Sequence, residues 1–423
     1  MAGYLRARIV LPLHGPPIHD GVVQVQRGRV VATGRWRDFR NPSVHHVDDL
    51  GEVILLPGLV NAHCHLDYTG MAGQLVPPRS FTDWIKSITE LKAGWSDTDF
   101  AKSWQLGARM LIETGTTTVG DIEAVPDLLP RMWEATPLRV ISFLEMTGVR
   151  SRRAPELILK EACGRIARLP SRQSRACLSP HAPYSTTPAL LRLSGEMARR
   201  RGWRLTVHVS ESREEFDMFT LRKGPMFSWL SQNERDMSDC GGVSPVRHVM
   251  RAGALGDNLL AIHVNYLRPG DASLLGRHGV HVVHCPRSHA YFGHAPFPYQ
   301  ELKRQRVNLA LGTDSLATVL KGRRETVRPD MFAEMAAFAQ THPEVGPSTI
   351  LRMATVNGAK ALGLAGQIGC IAPGASADFV TLPFPGPQRH VYERIIHSPA
   401  EVDAVMIRGR WIHPAATADS VTC

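Results

Sequence analysis

The strongest constraint on this chain is a rhythm. Between residues 59 and 314, eight short apolar runs recur, each followed by a stretch with helical spacing. The runs are LVNAHCH (59–65), TTTVGD (116–121), RVISFLE (139–145), RACLSPH (175–181), RLTVHVSE (204–211), NLLAIHV (258–264), VHVVHCP (280–286) and VNLALGTD (307–314). The intervals hold segments such as SFTDWIKSITELKAGW, DTDFAKSWQLGARMLIETG, PALLRLSGEMARRRG and GPSTILRMATVNGAKALGL. These place apolar residues three and four apart, with Asp, Thr or Pro near the start and Gly near the end. Eight strands alternating with helices predict an α/β fold, a (β/α)8 TIM-type barrel. The rival, a doubly wound open sheet, lacks its usual sign, because no GxGxxG follows the first run.

The two ends of the chain read differently. YLRARIVLP, GVVQVQRGRVVATG and HHVDDLGEVILLP near the start, and IGCIAPGASADFVTLP and EVDAVMIRGRWIHP near the finish, are short strands separated by Gly, Pro and Asp. Neither end is long enough to bury a core alone. They are expected to join as one small composite β-sandwich domain, residues 1–56 and 367–423, with the barrel, 57–366, inserted between them.

The net charge of +10 raises nucleic acid as a partner. The excess is scattered and mostly arginine (150, 152 and 153; 199 to 201; 323 and 324), and no basic run is interleaved with aromatics as a stacking platform needs. No nucleic-acid partner is therefore expected, and a phosphorylated or carboxylated substrate stays open. No run of about 18 apolar residues could span a bilayer. MAGYLRARIVLPLHG reads as a strand and not as a signal peptide, and seven cysteines without a CxxC suit a reducing compartment. The expectation is a cytoplasmic protein without a membrane partner. A homo-oligomer stays open.

In PGLVNAHCHLD, His63 and His65 are separated by one residue. Side chains two apart on a strand face the same way, so both imidazoles share a side and Cys64 faces the other. Such a pair can reach one cation at about 2.1 Å from each nitrogen. The other runs end in the same chemistry: His181, His208, His263 and Asp314. Barrel enzymes gather their functional residues at the C-terminal ends of strands. Asp314, in the apolar context LALGTD, needs a partner for its charge, and a cation supplies one.

PGLVNAHCHLD, SPHAPYS, HVSE, AIHV and LGTD, in this order and spacing, resemble the amidohydrolase superfamily over nearly the whole chain. The similarity is greatest to its mononuclear deaminase and chlorohydrolase branch, with adenosyl-homocysteine/methylthioadenosine, guanine and aminofutalosine deaminases and triazine chlorohydrolases. The resemblance implies metal ligands at His63, His65, His208 and Asp314. Branches with two metals use a carboxylated lysine on the fourth strand, and RACLSPHAPYS has none, so one ion is expected. Three nitrogens and a carboxylate suit Zn2+, with Fe2+ and Mn2+ as alternatives. The implied roles are Asp314 as acceptor of a water proton, His263 as hydrogen-bonding partner of the attacking oxygen, and Glu211 as the acid that protonates a substrate ring nitrogen. Glu211 in SESREE could otherwise be a helix N-terminal acid.

The resemblance also suggests a substrate pocket with His181, Trp84, Glu145 and Arg150. His289 in VVHCPRSHAYF borders it and departs from the asparagine of many relatives. GPMFSWLSQN is expected as a lid or pocket helix. The implied reaction is hydrolytic deamination of an amino-substituted heterocycle, a purine or adenine-type nucleoside, with an aminofutalosine-like compound favoured by FLEMTGV and the SESREEF to GPMFSWL region. The alternatives are a chlorohydrolase or other C–N hydrolase on the same scaffold and, in another class, a non-catalytic amidohydrolase-like scaffold protein.

Overall fold

A computed structural model describes residues 3–39, 47–148, 153–170, 174–322, 325–397 and 401–413. All eight predicted runs are strands: Leu59–Cys64, Thr116–Glu123, Arg139–Met146, Arg175–Pro180, Leu205–Val209, Leu259–His263, His281–His284 and Asn308–Leu311. Each pairs in parallel with its neighbour in sequence. A bridge between Cys64 and Asp314 joins the last strand end to the first. There the N–H groups of Thr313 and Asp314 donate to the His63 carbonyl at 3.0 and 3.1 Å. Gly312 makes this approach possible, since a Cβ at that position would lie 2.7 Å from the His63 oxygen and 2.9 Å from its Cβ.

Helices cover the outside of the barrel. Ser96 caps Asp97–Glu113 by accepting from the Asp99 N–H, while the Asp99 side chain accepts from the Ser96 N–H, so each satisfies a donor the helix start leaves open. Pro188–Arg201 starts at Thr187 and ends on Gly202, in the left-handed conformation. GPSTILRMATVNGAKALGL forms two helices, Pro347–Met353 and Val356–Ala361. The break has a cause: the Ala354 carbonyl leaves the helix and accepts from Val60 N–H of the first barrel strand at 2.8 Å. Cys64 packs with Trp104 and Ala108 of the helix side, although Val60 and Ala62 face the barrel interior, because the register shifts between Asn61 and Cys64.

The two ends of the chain do join. Gly3–Val10, Ile18–Gln26, Arg29–Arg35, Val47–Asp49 and Val53–Pro57 form one mixed sheet with Phe379–Pro383, Ala404–Ile407 and Arg410–His413. Val53–Pro57 links the halves, running parallel to Gly3–Val10 and antiparallel to Phe379–Pro383. Its side chains alternate. Val53 and Leu55 pack in the small domain with Leu5 and Phe379, and Ile54 and Leu56 join the large core that includes Met335 and Phe338. Among the described residues no helix is long and apolar enough to cross a membrane.

Candidate active site

The predicted polar residues converge where the barrel strands end. Ring nitrogens of His63, His65 and His208 lie within 4.8 Å of one another, as do the side-chain donors of Glu211, His263 and Asp314. Asp314 links the two groups, its Oδ1 lying 3.6 Å from Nε2 of both His63 and His65. All six residues are buried.

Backbone geometry aims these side chains. In the fifth strand, Leu205, Val207 and Val209 pack on the helix side, so His208 between them faces inward. The sixth strand needs a different device. Leu260 and Ile262 belong to the barrel interior while Leu259 and Ala261 pack on the helix side, so alternation alone would send His263 outward. His263 instead takes a left-handed φ of 70°, which turns the ring to the mouth, 5.5 Å from that of His208. Ser210 and Asp314 also have positive φ, 54° and 55°. For residues other than glycine such backbone costs about 1–3 kcal/mol each, and such strain clusters at functional sites.

Electrostatics prepare the cluster for a cation. Burial holds His65 and His263 at about 3, and burial with the neighbouring His181 keeps His208 well below the ordinary imidazole range. Burial alone would push the Asp314 carboxyl up, but His63, His263 and His65 around it hold it well below the usual range. Neutral imidazoles and an ionised carboxylate are the states that bind a metal. His208 Nδ1 lies 2.9 Å from the His181 carbonyl, which can only accept, so Nδ1 carries the proton and Nε2 keeps its lone pair. His63 Nε2, His65 Nδ1 and His263 Nε2 are buried without a hydrogen-bond partner among the described residues. One ring nitrogen each of His63, His65 and His208, with the Asp314 carboxylate beside them, fits one divalent ion.

Glu211 has a different surrounding. Its Oε1 lies 3.5 Å from His263 Nε2. Burial pushes its carboxyl well above the usual range, with the charges of Asp314 and Glu215 adding to the shift. It lies outside the following helix, Arg213–Leu221, whose cap is Ser212 and whose first-turn acids are Glu214 and Glu215. Glu215 instead grips the turn, accepting from Ser210 N–H at 3.1 Å and from Glu211 N–H at 2.8 Å.

A cavity of about 490 Å³ opens beside the cluster, reaching His65, His208, Glu211 and Asp314. His181, Trp84 and Glu145 line it. His181 Nδ1 lies 2.5 Å from the Ser185 hydroxyl, and its Nε2 lies 3.9 Å from Glu145. Trp84 also stacks on Phe81 and meets Phe292 edge-on, so it serves core and cavity together. The helix in GPMFSWLSQN, Pro225–Gln232, brings Trp229 and Leu230 to the wall. His289 is not among the lining residues; its Nε2 lies 3.0 Å from the Ala295 carbonyl. Arg150 lies outside the described residues.

Sequence reasoning missed Lys92 and Asp121, and placed Ser288 only in the loop that follows the seventh strand. Lys92, whose Nζ sits 4.7 Å from the Tyr68 ring centre, supplies a cation to the cavity wall. Ser288 donates to Asp314 Oδ2 at 2.7 Å. Asp121, buried in the second strand, accepts from Leu66 N–H at 2.9 Å and from Trp104 Nε1 at 2.8 Å, fixing the chain just after His65. Asp121 ends TTTVGD much as Asp314 ends its run, and that signal could have found it. Burial raises Asp121, Asp67 and Glu123 together, Glu123 to about 8.

The chain is similar to known proteins along nearly its full length. A 5-methylthioadenosine/S-adenosylhomocysteine deaminase of Syntrophobacter fumaroxidans is 29% identical over 432 residues, covering 96% of this chain and 90% of that protein. A 5'-deoxyadenosine deaminase of Methanothermobacter thermautotrophicus is 30% identical over 387 residues, covering 86% and 82%. The solved structure of an adenosine deaminase from Xanthomonas campestris with bound zinc superposes with a TM-score of 0.82 at 24% identity, covering 97% of this chain and 92% of that one. The amidohydrolase family model matches residues 54–412, nearly the whole of the described fold, and the chain belongs to that family.

Proposed function

We propose that this protein is a metal-dependent deaminase that hydrolyses the exocyclic amino group of an adenine-type nucleoside. The observation that carries this reading is Glu211: a carboxyl that burial pushes well above its usual range, beside a His/Asp cluster and open to an apolar cavity. Cleaving a simple amide needs no such acid. Replacing a ring amino group does, because protonating the ring nitrogen makes the neighbouring carbon electrophilic. The names of the two deaminase relatives, both acting on adenosines altered at the 5' position, support the substrate class.

His63, His65, His208 and Asp314 would hold one ion, for which we take zinc, with iron and manganese as alternatives. When bound, such an ion lowers the pKa of a coordinated water from roughly 16 toward about 7. Asp314 accepts the water proton and returns it to the departing amine. Glu211 protonates the ring nitrogen and is restored by the hydroxyl proton released when the new carbonyl forms. His263 hydrogen-bonds the attacking oxygen. The balance is water and the amino-heterocycle in, the oxo-heterocycle and ammonia out. His181 and Glu145 supply polar contacts for a sugar, and Trp84 and Trp229 an apolar face for the group beyond it. The partner is a small heterocycle, not nucleic acid, and the cysteine pattern supports a cytoplasmic location.

Ammonia release decides the reading. The metal-loaded protein should release ammonia from one of a panel of 5'-methylthioadenosine, S-adenosylhomocysteine, 5'-deoxyadenosine, aminofutalosine and guanine. His63→Ala or Asp314→Asn should abolish turnover and lower the bound metal. Chloride release from a chlorinated triazine without ammonia release from the panel would make it a chlorohydrolase. Purified protein without stoichiometric metal would make it a scaffold.

A further inference from the structure

A second cavity, about 720 Å³, opens between the barrel and the small domain at the end away from the candidate active site. Arg139 and Arg175 begin the third and fourth barrel strands. Arg27 and Arg29 stand at the turn joining Ile18–Gln26 to Arg29–Arg35, and Arg408 at the turn joining Ala404–Ile407 to Arg410–His413. All five line the cavity, and no Asp or Glu does.

The charge of this group is not balanced among the described residues. One buried carboxylate, Asp378, accepts from Arg139 at 2.6 Å, and also from Ser376 Oγ and the Arg408 N–H, each at 2.8 Å. Among the described residues Arg27, Arg29, Arg175 and Arg408 form no ion pair. Arg29 and Arg175 are anchored instead to the carbonyls of Gly374 and Leu362. Nη2 of Arg408 is shielded from solvent and has no hydrogen-bond partner among the described residues. Gathered like charges repel unless an anion joins them. Guanidinium forks held in place match the oxygens of phosphate groups.

One wall is apolar, formed by Ile141, Leu364 and Ile368. The volume falls in the range of about 300–1,000 Å³ typical of small-ligand sites. We propose that this cavity binds a nucleoside di- or triphosphate, with its phosphates on the arginines and its base against the apolar wall. The site is separate from the catalytic one. The third strand runs eight residues from Arg139 to Met146, about 23 Å at the usual rise per residue. The inference therefore does not depend on the proposed reaction. Because both domains build the walls, the nucleotide ties them together and raises the melting temperature.

Calorimetry and thermal melts of the metal-loaded protein, with magnesium–ATP at about 0.15 M salt, test this. The expected result is saturable binding with a raised melting temperature. Arg27→Ala/Arg175→Ala should weaken binding by at least about tenfold, while basal turnover without nucleotide is unchanged. Adenosine and tripolyphosphate should each bind more weakly than ATP. No saturable binding at millimolar ATP, or binding kept by the double variant, would overturn the proposal. So would tripolyphosphate binding as tightly as ATP, or a single-stranded oligonucleotide displacing ATP at a lower concentration. If the double variant melts early, Arg27→Gln and Arg175→Gln are measured singly, and each must weaken ATP for the proposal to stand.

Discussion

The Ser288 hydroxyl donates to Oδ2 of Asp314 at 2.7 Å, and that bond sets which oxygen of the carboxylate faces the histidines. Oδ1 is left 3.6 Å from His63 and His65. Ser288 comes from the helix Pro286–Phe292 after the seventh strand, so one barrel unit orients the ligand of the next. Outer partners of this kind are worth about 10–100-fold in metal affinity. Ser288→Ala should lower zinc affinity by that factor, read by competition with a chelator. An unchanged affinity would show that the barrel backbone and the Thr318 hydroxyl, 3.5 Å from the same oxygen, suffice to orient Asp314.

Glu211→Gln should keep its metal and lose turnover. Removing a positioned proton donor costs about 10²–10⁴-fold in kcat. Elemental analysis and steady-state kinetics on the same preparation separate this from a loss of the ion. Normal turnover would mean that the substrate ring is not protonated by this residue.

Gly312→Ala forces a methyl group against the His63 carbonyl at the barrel closure. Overpacking of this kind costs about 1–3 kcal/mol. Denaturant melts should show that loss. Zinc binding should weaken with it, because the same contact carries a proposed ligand on each side.

Two histidines away from the cluster make the fold sensitive to acid. Burial holds His248 and His281 at about 4, below the ordinary value of 6.5. The unfolded chain then binds more protons than the folded one, so their stabilising contribution is complete above about pH 6.5 and is lost as pH falls toward about 4. By about pH 5 each site should have lost on the order of 2 kcal/mol. Urea melts across this window should show the decline, and His281→Gln should make it shallower. An equal decline in the variant would assign the acid sensitivity elsewhere.

Much of the fold was legible because parallel strands buried on both faces leave dense apolar runs, and each run here became a strand. His63 and His65 were legible as a pair sharing one side because residues two apart on a strand face the same way, but their inward direction depends on a register shift between Asn61 and Cys64 that the sequence does not show. His263 was readable only as a strand-end residue, since its direction comes from a left-handed backbone that alternation does not foresee. Ser288 was legible only as part of the loop beside the pocket and Lys92 not at all, because a serine or a lysine on a helix gives no sign of what lies opposite it in space. The break between Met353 and Val356 was hidden for a similar reason: its cause is a carbonyl bonded to Val60, far away in the chain.

The pairing of Pro57 with Phe379 spans the whole barrel sequence. During synthesis, the N-terminal strands therefore wait with an open edge until the far end of the chain leaves the ribosome. A product cut short before Phe379 keeps every proposed metal ligand and still presents an unfinished sheet to proteases and chaperones. The arrangement makes translation to the end a condition of survival.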